Sequence, residues 1–488
     1  MNITGKDGLF KRKVAHGVFI LSVRRVLYQL ILTSSNILLA RILVPEIFGA
    51  FMIVSFLILN LGILTNGGLA QALIQKKEPV SKEDVQTVLT TVILTSMIFI
   101  ICIYIAAPFF HFVYQGKLGT NEIYWLRIYS IYILFANIYA LLMALVERKL
   151  EYSKITFIEL ITLSVTQGIT IVFALFGWGI GSFAIGSLSG IGIGICLLYI
   201  FNPLPVGIFF SRKILRQLSR FGFHYQQGAF LSAINSAVIP GYVGIVSGPR
   251  AVGYVTVMGG IRQVGLAPTD IISRLLFASS SYLQKNKKLL RSLVEKTIRL
   301  SSMTSLPLLG ILFALAPALI SLALSPQWLP ALLTLYLSII QGIFLILSSI
   351  FMQVLLGLGH AKFVRNTTLI WTAVQWILTP VFILIWDYNG VVIAGIVVSL
   401  LYFIPLRKLK EDIDVQVFPY FMPYLIYSLL TAGMTYVIAQ VIIVDSIFRL
   451  VEVGFLGMLF YLAILIIIER RSLMLDIRLL IKLLIQKK

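Results

Sequence analysis

The chain has 488 residues, of which 59% are hydrophobic and 12% charged. Soluble domains carry roughly a quarter charged residues, so this composition excludes a soluble globular protein. Forty Lys plus Arg against nineteen Asp plus Glu give a formal charge of +21, which in a soluble protein would point to nucleic acid and here must first be tested against the loops. Two cysteines, Cys102 and Cys196, lie inside apolar runs, and the four histidines (His16, His111, His224, His360) are scattered. Neither a disulfide framework nor a metal site follows from them, and no cofactor is implied. The opening Lys11-Arg12-Lys13 and the apolar run behind it have the outline of a signal peptide. Arg24 and Arg25 interrupt that run and no small-residue cleavage site follows, so an uncleaved first span is expected.

In chain order, apolar runs bounded by charge, Pro or Gly predict spans near 18–42, 47–70, 86–108, 124–146, 155–176, 180–201, 221–247, 251–275, 300–324, 331–356, 366–386, 390–405, 420–444 and 449–468. Cytoplasmic loops collect Lys and Arg, which tests the count. Of the 40 basic residues, 31 fall in the N-terminus, alternate connections and the C-terminal tail, whereas only Arg41, Lys117, Arg250 and Arg449 fall on the other side. Both termini are therefore expected in the cytoplasm, and the charge reads as topology rather than nucleic-acid binding. The basic stretches 212–220 and 472–488 alternate Leu or Ile with Lys or Arg at helical spacing, which suits interfacial helices on an anionic leaflet. The longest external connection is expected at 109–123, too short for an external catalytic domain.

An internal repeat is visible. Pro45-Glu46-Ile47-Phe48-Gly49 matches Pro249-Arg250-Ala251-Val252-Gly253, and Thr65-Asn66 matches Thr269-Asp270 at the same offset. Two six-helix halves follow, and because six is even both enter from the same side, as a parallel repeat about an axis along the membrane normal. The expected organisation is an N-lobe at 1–210, a C-lobe at 211–410 and two further spans with a basic tail at 411–488. The fold class is an all-α polytopic membrane protein of about fourteen helices.

Arg25, Gln29, Thr33 and Asn36 recur on one face of span 1, a stripe that lipid would not tolerate. It lines a hydrated cavity or bonds to neighbouring helices, with Arg24 and Arg25 close to the inner boundary. Arg262 lies deep in span 8, where an arginine costs roughly 2.5–3.5 kcal/mol on insertion scales and cannot easily reach a headgroup. Water, an anion or Asp270, two turns on, must lie beside it, and Asp270 has a closer partner in Arg274. His224, Gln227 and Asn235 in span 7 mirror the span 1 stripe, and Asp270 and His224 are the candidates for ion pairing or coupling. Gly186, Gly190 and Gly194 in span 6 form a close-packing face. No nucleotide-binding loop, zinc spacing or nucleophile with a base is present in the sequence.

The stretch Leu39-Ala40-Arg41-Ile42-Leu43-Val44-Pro45-Glu46-Ile47-Phe48-Gly49, then Gly67-Gly68-Leu69-Ala70-Gln71-Ala72-Leu73-Ile74-Gln75, resembles the start of bacterial polysaccharide transporters, the lipid-linked oligosaccharide flippases. Val146-Glu147-Arg148-Lys149-Leu150 after span 4 is similar too. The resemblance implies the multidrug and oligosaccharidyl-lipid exporter superfamily, a bacterial inner membrane, and outward movement of undecaprenyl-pyrophosphate-linked sugars by alternating access rather than catalysis. Arg262, Arg25, Arg24 and Arg274 would then hold the pyrophosphate, with Gln29, Asn36, Gln227 and Asn235 facing sugar hydroxyls. Expected partners are the lipid-linked oligosaccharide, membrane lipids and the polysaccharide polymerase machinery, and no nucleic acid. Members often carry an acid where Asn66 stands and another at Ile239-Pro240, so carboxylate-based ion coupling is not implied here. The rival readings are a cation-coupled multidrug exporter of the same superfamily, which would want acids in the lumen, and a membrane glycan polymerase or ligase, which would want a long external loop.

Overall fold

The computed structural model describes residues 27–203, 207 and 209–485. Every regular element among them is helical, because a chain surrounded by hydrocarbon must satisfy each backbone N–H and C=O within its own segment. Among the described residues, eleven helices are long and apolar enough to cross a membrane. Leu27–Ile42 and Phe230–Val246 are shorter apolar helices. The helix over the eighth expected span, Pro249–Leu283, is not among the eleven; Arg262, Gln263, Thr269 and Asp270 lower its hydropathy. Leu27–Ile42, Phe230–Val246 and Pro249–Leu283 lie at the first, seventh and eighth of the fourteen expected spans and fall outside the eleven by length or hydropathy.

Two compact units divide the chain, one ending at Thr256 and the other beginning at Val257. In the first, α1 (Leu27–Ile42) precedes α2 (Pro45–Asn66), whose first turn holds a proline that needs no N–H partner there. Gly67 and Gly68, both at positive φ, turn the chain into the short α3 (Leu69–Gln75). A capping box opens α4 (Lys82–Val113): the Asp84 N–H donates to Ser81 Oγ at 3.1 Å and the Ser81 N–H donates to Asp84 Oδ2 at 2.8 Å. Because α4 runs to Val113, the connection expected at 109–123 shrinks to residues 114–119. The fourth crossing is broken into α5 (Thr120–Tyr129) and α6 (Tyr132–Arg148). Arg148 at its end donates to the carbonyl oxygens of Leu73 at 2.5 Å and Glu78 at 2.7 Å, holding the end of α3 and the loop that follows.

α7 (Tyr152–Leu175) and α8 (Ile180–Phe201) form the most intimate pair of this unit. Three glycines of α8 at four-residue steps face a ladder of threonines on α7: a Cβ on Gly186, Gly190 or Gly194 would run into Thr170, Thr166 and Thr162 in turn. The expected close-packing face is thus a glycine-to-threonine seam. α9 (Arg212–Ser236) continues through a π-helical turn, Val238–Val243, to the start of α10 (Pro249–Leu283). There the two repeat motifs meet reciprocally. Gly49 packs on the Pro249 carbonyl, Gly253 packs on the Pro45 carbonyl, and Glu46 pairs with Arg250.

In the second unit the rest of α10 packs with α11 (Lys287–Ala314) and α12 (Leu332–Gly357). Thr269 Oγ1 and Ser305 Oγ share a hydrogen bond of 2.8 Å across α10 and α11. Trp328 in the turn before α12, and Phe351 within it, are fully buried. α13 (Ala361–Trp386) is followed by α14 (Asn389–Leu400) and α15 (Phe403–Ile413), which together make one crossing where only 390–405 was expected. α16 (Phe418–Ile442) and α17 (Ile447–Ile485) complete the unit, and α17 kinks at Glu469. At the kink Glu469 accepts from Arg299 and from the Tyr424 hydroxyl, each at 2.8 Å, and Arg299 Nε donates to Tyr424 at 2.7 Å. A charged end of the last crossing is thereby fastened to α11 and α16.

Candidate functional site

Arg262 lies on α10, one turn after Gly259 and Gly260, beside neither of which is any atom within 4 Å of where a Cβ would stand. Its Nη1 donates to Gln341 Oε1 on α12, and its Nε is buried with no hydrogen-bond partner among the described residues. Two further glycines make this seat. Gly342 leaves room for the aliphatic stem, since a Cβ there would come within 3.2 Å of Arg262 Cγ. Gly395 on α14 admits the carboxamide of Gln341, whose Cδ lies 3.1 Å from the position of a Cβ. A guanidinium has five N–H donors, and one neutral carboxamide oxygen satisfies only part of that set. Asp270 accepts from Gln263 Nε2 at 2.6 Å along its own helix. The arrangement is a cation held in place by a neutral neighbour, with donor capacity left for an anion.

A second polar site lies in the first unit. The end of α2, the glycine turn, α3, α6 and Gln226 of α9 line an open cavity of about 310 Å³. Its polar lining consists of Asn66, Gln71, Asn137 and Gln226 with Tyr132. The turn glycines set the approach of α9: a Cβ on Gly68 would lie 2.6 Å from the Gly222 carbonyl oxygen and 2.7 Å from Gly222 Cα. Gln226 follows Gly222 by four residues and therefore shares its helix face. Its Nε2 donates to the Ile63 carbonyl. Asn137 is 3% exposed, and its Nδ2 donates to Thr65 Oγ1 at 2.7 Å and Ser96 Oγ at 2.8 Å.

Among the residues singled out from sequence, Gln29 donates to Thr33 at 3.2 Å, which links two members of the span 1 stripe, and Asn36 is exposed. Asn235 is exposed and engaged in an interaction. Arg24 and Arg25 lie outside the described residues, as do the side chains of Arg274, His224 and Gln227. Gln226, Gln341, Gln71 and Asn137 were not named as site residues, and Asn66 entered only through the repeat and as the position where family members often carry an acid. Their signal is weak but physical: a lone carboxamide in an apolar run needs a partner or water.

The fold is shared with solved flippases and exporters. It is similar to the solved "Lipid II flippase MurJ, inward closed conformation", with a TM-score of 0.72 and 15% identity, covering 94% of this chain and 100% of that one. An inward-facing "multidrug resistance MATE family transporter of the MOP superfamily" gives a TM-score of 0.57 at 16% identity, covering 82% of this chain and 99% of that one. No curated protein matches the chain. A family model described as "Polysaccharide biosynthesis protein" matches residues 38–333, and the chain belongs to that family.

Proposed function

We propose that this multi-pass membrane protein moves undecaprenyl-pyrophosphate-linked oligosaccharide from the inner to the outer leaflet of a bacterial cell membrane, for export of surface polysaccharide. The observation that carries the reading is Arg262: a guanidinium within an apolar bundle, seated by Gln341 and glycines, with its Nε buried and unpartnered among the described residues. A diphosphate supplies the paired anionic oxygens that such a fork binds, and desolvation strengthens the attraction. Arg24, Arg25 and Arg274 would share the pyrophosphate, and Gln29, Asn36, Gln227 and Asn235 the sugars. The proposed lobes, 1–210 and 211–410, alternate access while the lipid tail stays in the bilayer, both termini face the cytoplasm, and 411–488 is an appendix. Family membership and the exporter fold support transport of a glycan precursor over catalysis. A cation-coupled drug exporter fits less well, because Asp270 is bonded to Gln263.

Deletion of the gene tests the proposal. A lipid-linked oligosaccharide should accumulate in the inner leaflet, be cleared by the wild-type chain, and persist with Arg262→Ala at equal protein level. An unchanged lipid-linked pool in the deletion strain would refute it.

A further inference from the structure

Among the described residues, the lining of the 310 Å³ cavity of the first unit contains no Asp, Glu, Lys, Arg or His. Its polar groups are the carboxamides of Asn66, Gln71, Asn137 and Gln226 and the tyrosine Tyr132. The hydrogen-bond pattern decides what these groups still offer. Asn137 has two N–H donors, and both are committed, to Thr65 and to Ser96. Gln226 donates one of its two amide N–H groups to the Ile63 carbonyl. Asn66 Oδ1 is buried and has no partner among the described residues. What remains in the described lining is uncharged: acceptor oxygens together with amide N–H groups and the Tyr132 hydroxyl. A buried acceptor without a donor, such as Asn66 Oδ1, carries a penalty of about 1–3 kcal/mol that a ligand hydroxyl would remove.

We infer that this cavity is a binding site for one uncharged sugar ring, held by hydroxyl-to-carboxamide hydrogen bonds from Asn66, Asn137, Gln71 and Gln226. Three features select a sugar over other ligands. The described lining offers no charge to meet an anion. Acceptor oxygens call for a ligand rich in O–H donors, and Tyr132 adds an aromatic wall against which the apolar face of a ring can lie. The volume stands at the lower end of the roughly 300–1,000 Å³ of small-molecule sites, whereas a bare cation needs oxygens converging at about 2.3–2.6 Å. The site is also pre-formed: α9 is pinned on the glycine turn at Gly222, and Asn137 is fixed by two hydroxyls, so little ordering is required on binding. The inference rests on the glycan reading above and extends it, since it assigns recognition of a neutral sugar unit to residues of α2, α3, α6 and α9.

The test uses the full chain in lipid nanodiscs, which keeps glycoside detergents away from the site. Cys102 and Cys196, both exposed, are replaced by serine. Gly62 lines the cavity and has no atom within 4 Å of a Cβ position, so Gly62→Cys introduces a thiol without crowding. Methyl hexosides and N-acetylhexosamines at millimolar concentration should slow maleimide labelling of that thiol, while a uronic acid should not. Adding Gln71→Leu or Asn66→Leu should raise the protecting concentration about tenfold, the loss of one neutral hydrogen bond. Labelling unaffected by any neutral sugar overturns the inference, as does protection by sodium ions alone, which would make the cavity a cation site. Accumulation of lipid-linked glycan in the deletion strain is measured separately. If it occurs while no sugar protects the thiol, the cavity assignment fails and the transport reading stands.

Discussion

The reciprocal crossing of α2 and α10 makes a sharp demand on two glycines. A Cβ on Gly49 would fall on the carbonyl oxygen of Pro249 and lie 2.6 Å from its carbonyl carbon and 2.7 Å from the Gly253 nitrogen. On Gly253 it would fall on the Pro45 carbonyl oxygen, 2.9 Å from the carbonyl carbon. Non-bonded carbons prefer about 3.5–4.0 Å, so the helices must part by close to 1 Å or more. Every atom met is backbone, and no rotamer can relieve the clash. Overpacking of a close-packed region costs about 1–3 kcal/mol, and Gly49→Ala and Gly253→Ala are expected at the upper end of that range. Gly433→Ala on α16 is the control, because nothing lies within 4 Å of its Cβ position. There the helix should gain about 0.5–1 kcal/mol from the loss of glycine. Thermal unfolding of purified protein, followed by retention of a monodisperse peak, should show both crossing variants melting well below wild type and Gly433→Ala at or above it. The Glu46–Arg250 pair beside the crossing is largely solvated, with 37% and 66% of the side chains exposed. Glu46→Ala should therefore change stability by less than about 1 kcal/mol. Wild-type melting in both Gly49→Ala and Gly253→Ala would refute the crossing.

Arg262→Lys should impair glycan export although the charge is kept, because an ammonium cannot reproduce the planar fork, and Gly395→Ala should impair it less by displacing Gln341; full export by Arg262→Ala at normal protein level would sink the assignment. Cysteine labelling should place Lys77, Lys154, Arg216, Lys288, Lys408 and Lys488 on the cytoplasmic side, and finding Lys288 and Lys408 on opposite sides would contradict the topology. Arg299→Ala and Glu469→Ala should each destabilise by about 3–5 kcal/mol, since either leaves a charge only 14% or 17% exposed without its partner, and the double variant should lose less than the sum; additive losses measured by thermal unfolding would deny the coupling.

Much of the architecture was legible in the amino-acid order because membrane physics is local. About twenty apolar residues make a crossing, and the shared offset of Pro45-Glu46 and Pro249-Arg250 pairs the two motifs that meet where α2 crosses α10. Gly186, Gly190 and Gly194 announced a packing face by spacing alone, and Arg262 announced itself by the cost of its position. What could not be read locally was partnership. The threonines that receive those glycines lie on the neighbouring helix, and nothing in span 8 says that Arg262 would bond Gln341 rather than Asp270. The neutral cavity was hidden for the same reason: Asn66, Asn137 and Gln226 are far apart in the chain, and each alone is an ordinary polar residue in an apolar run. They become a site only where Gly67, Gly68 and Gly222 let two backbones touch. Hydropathy is a sum over one segment, whereas a binding site depends on which side chains from different segments converge, and that is settled by tertiary packing.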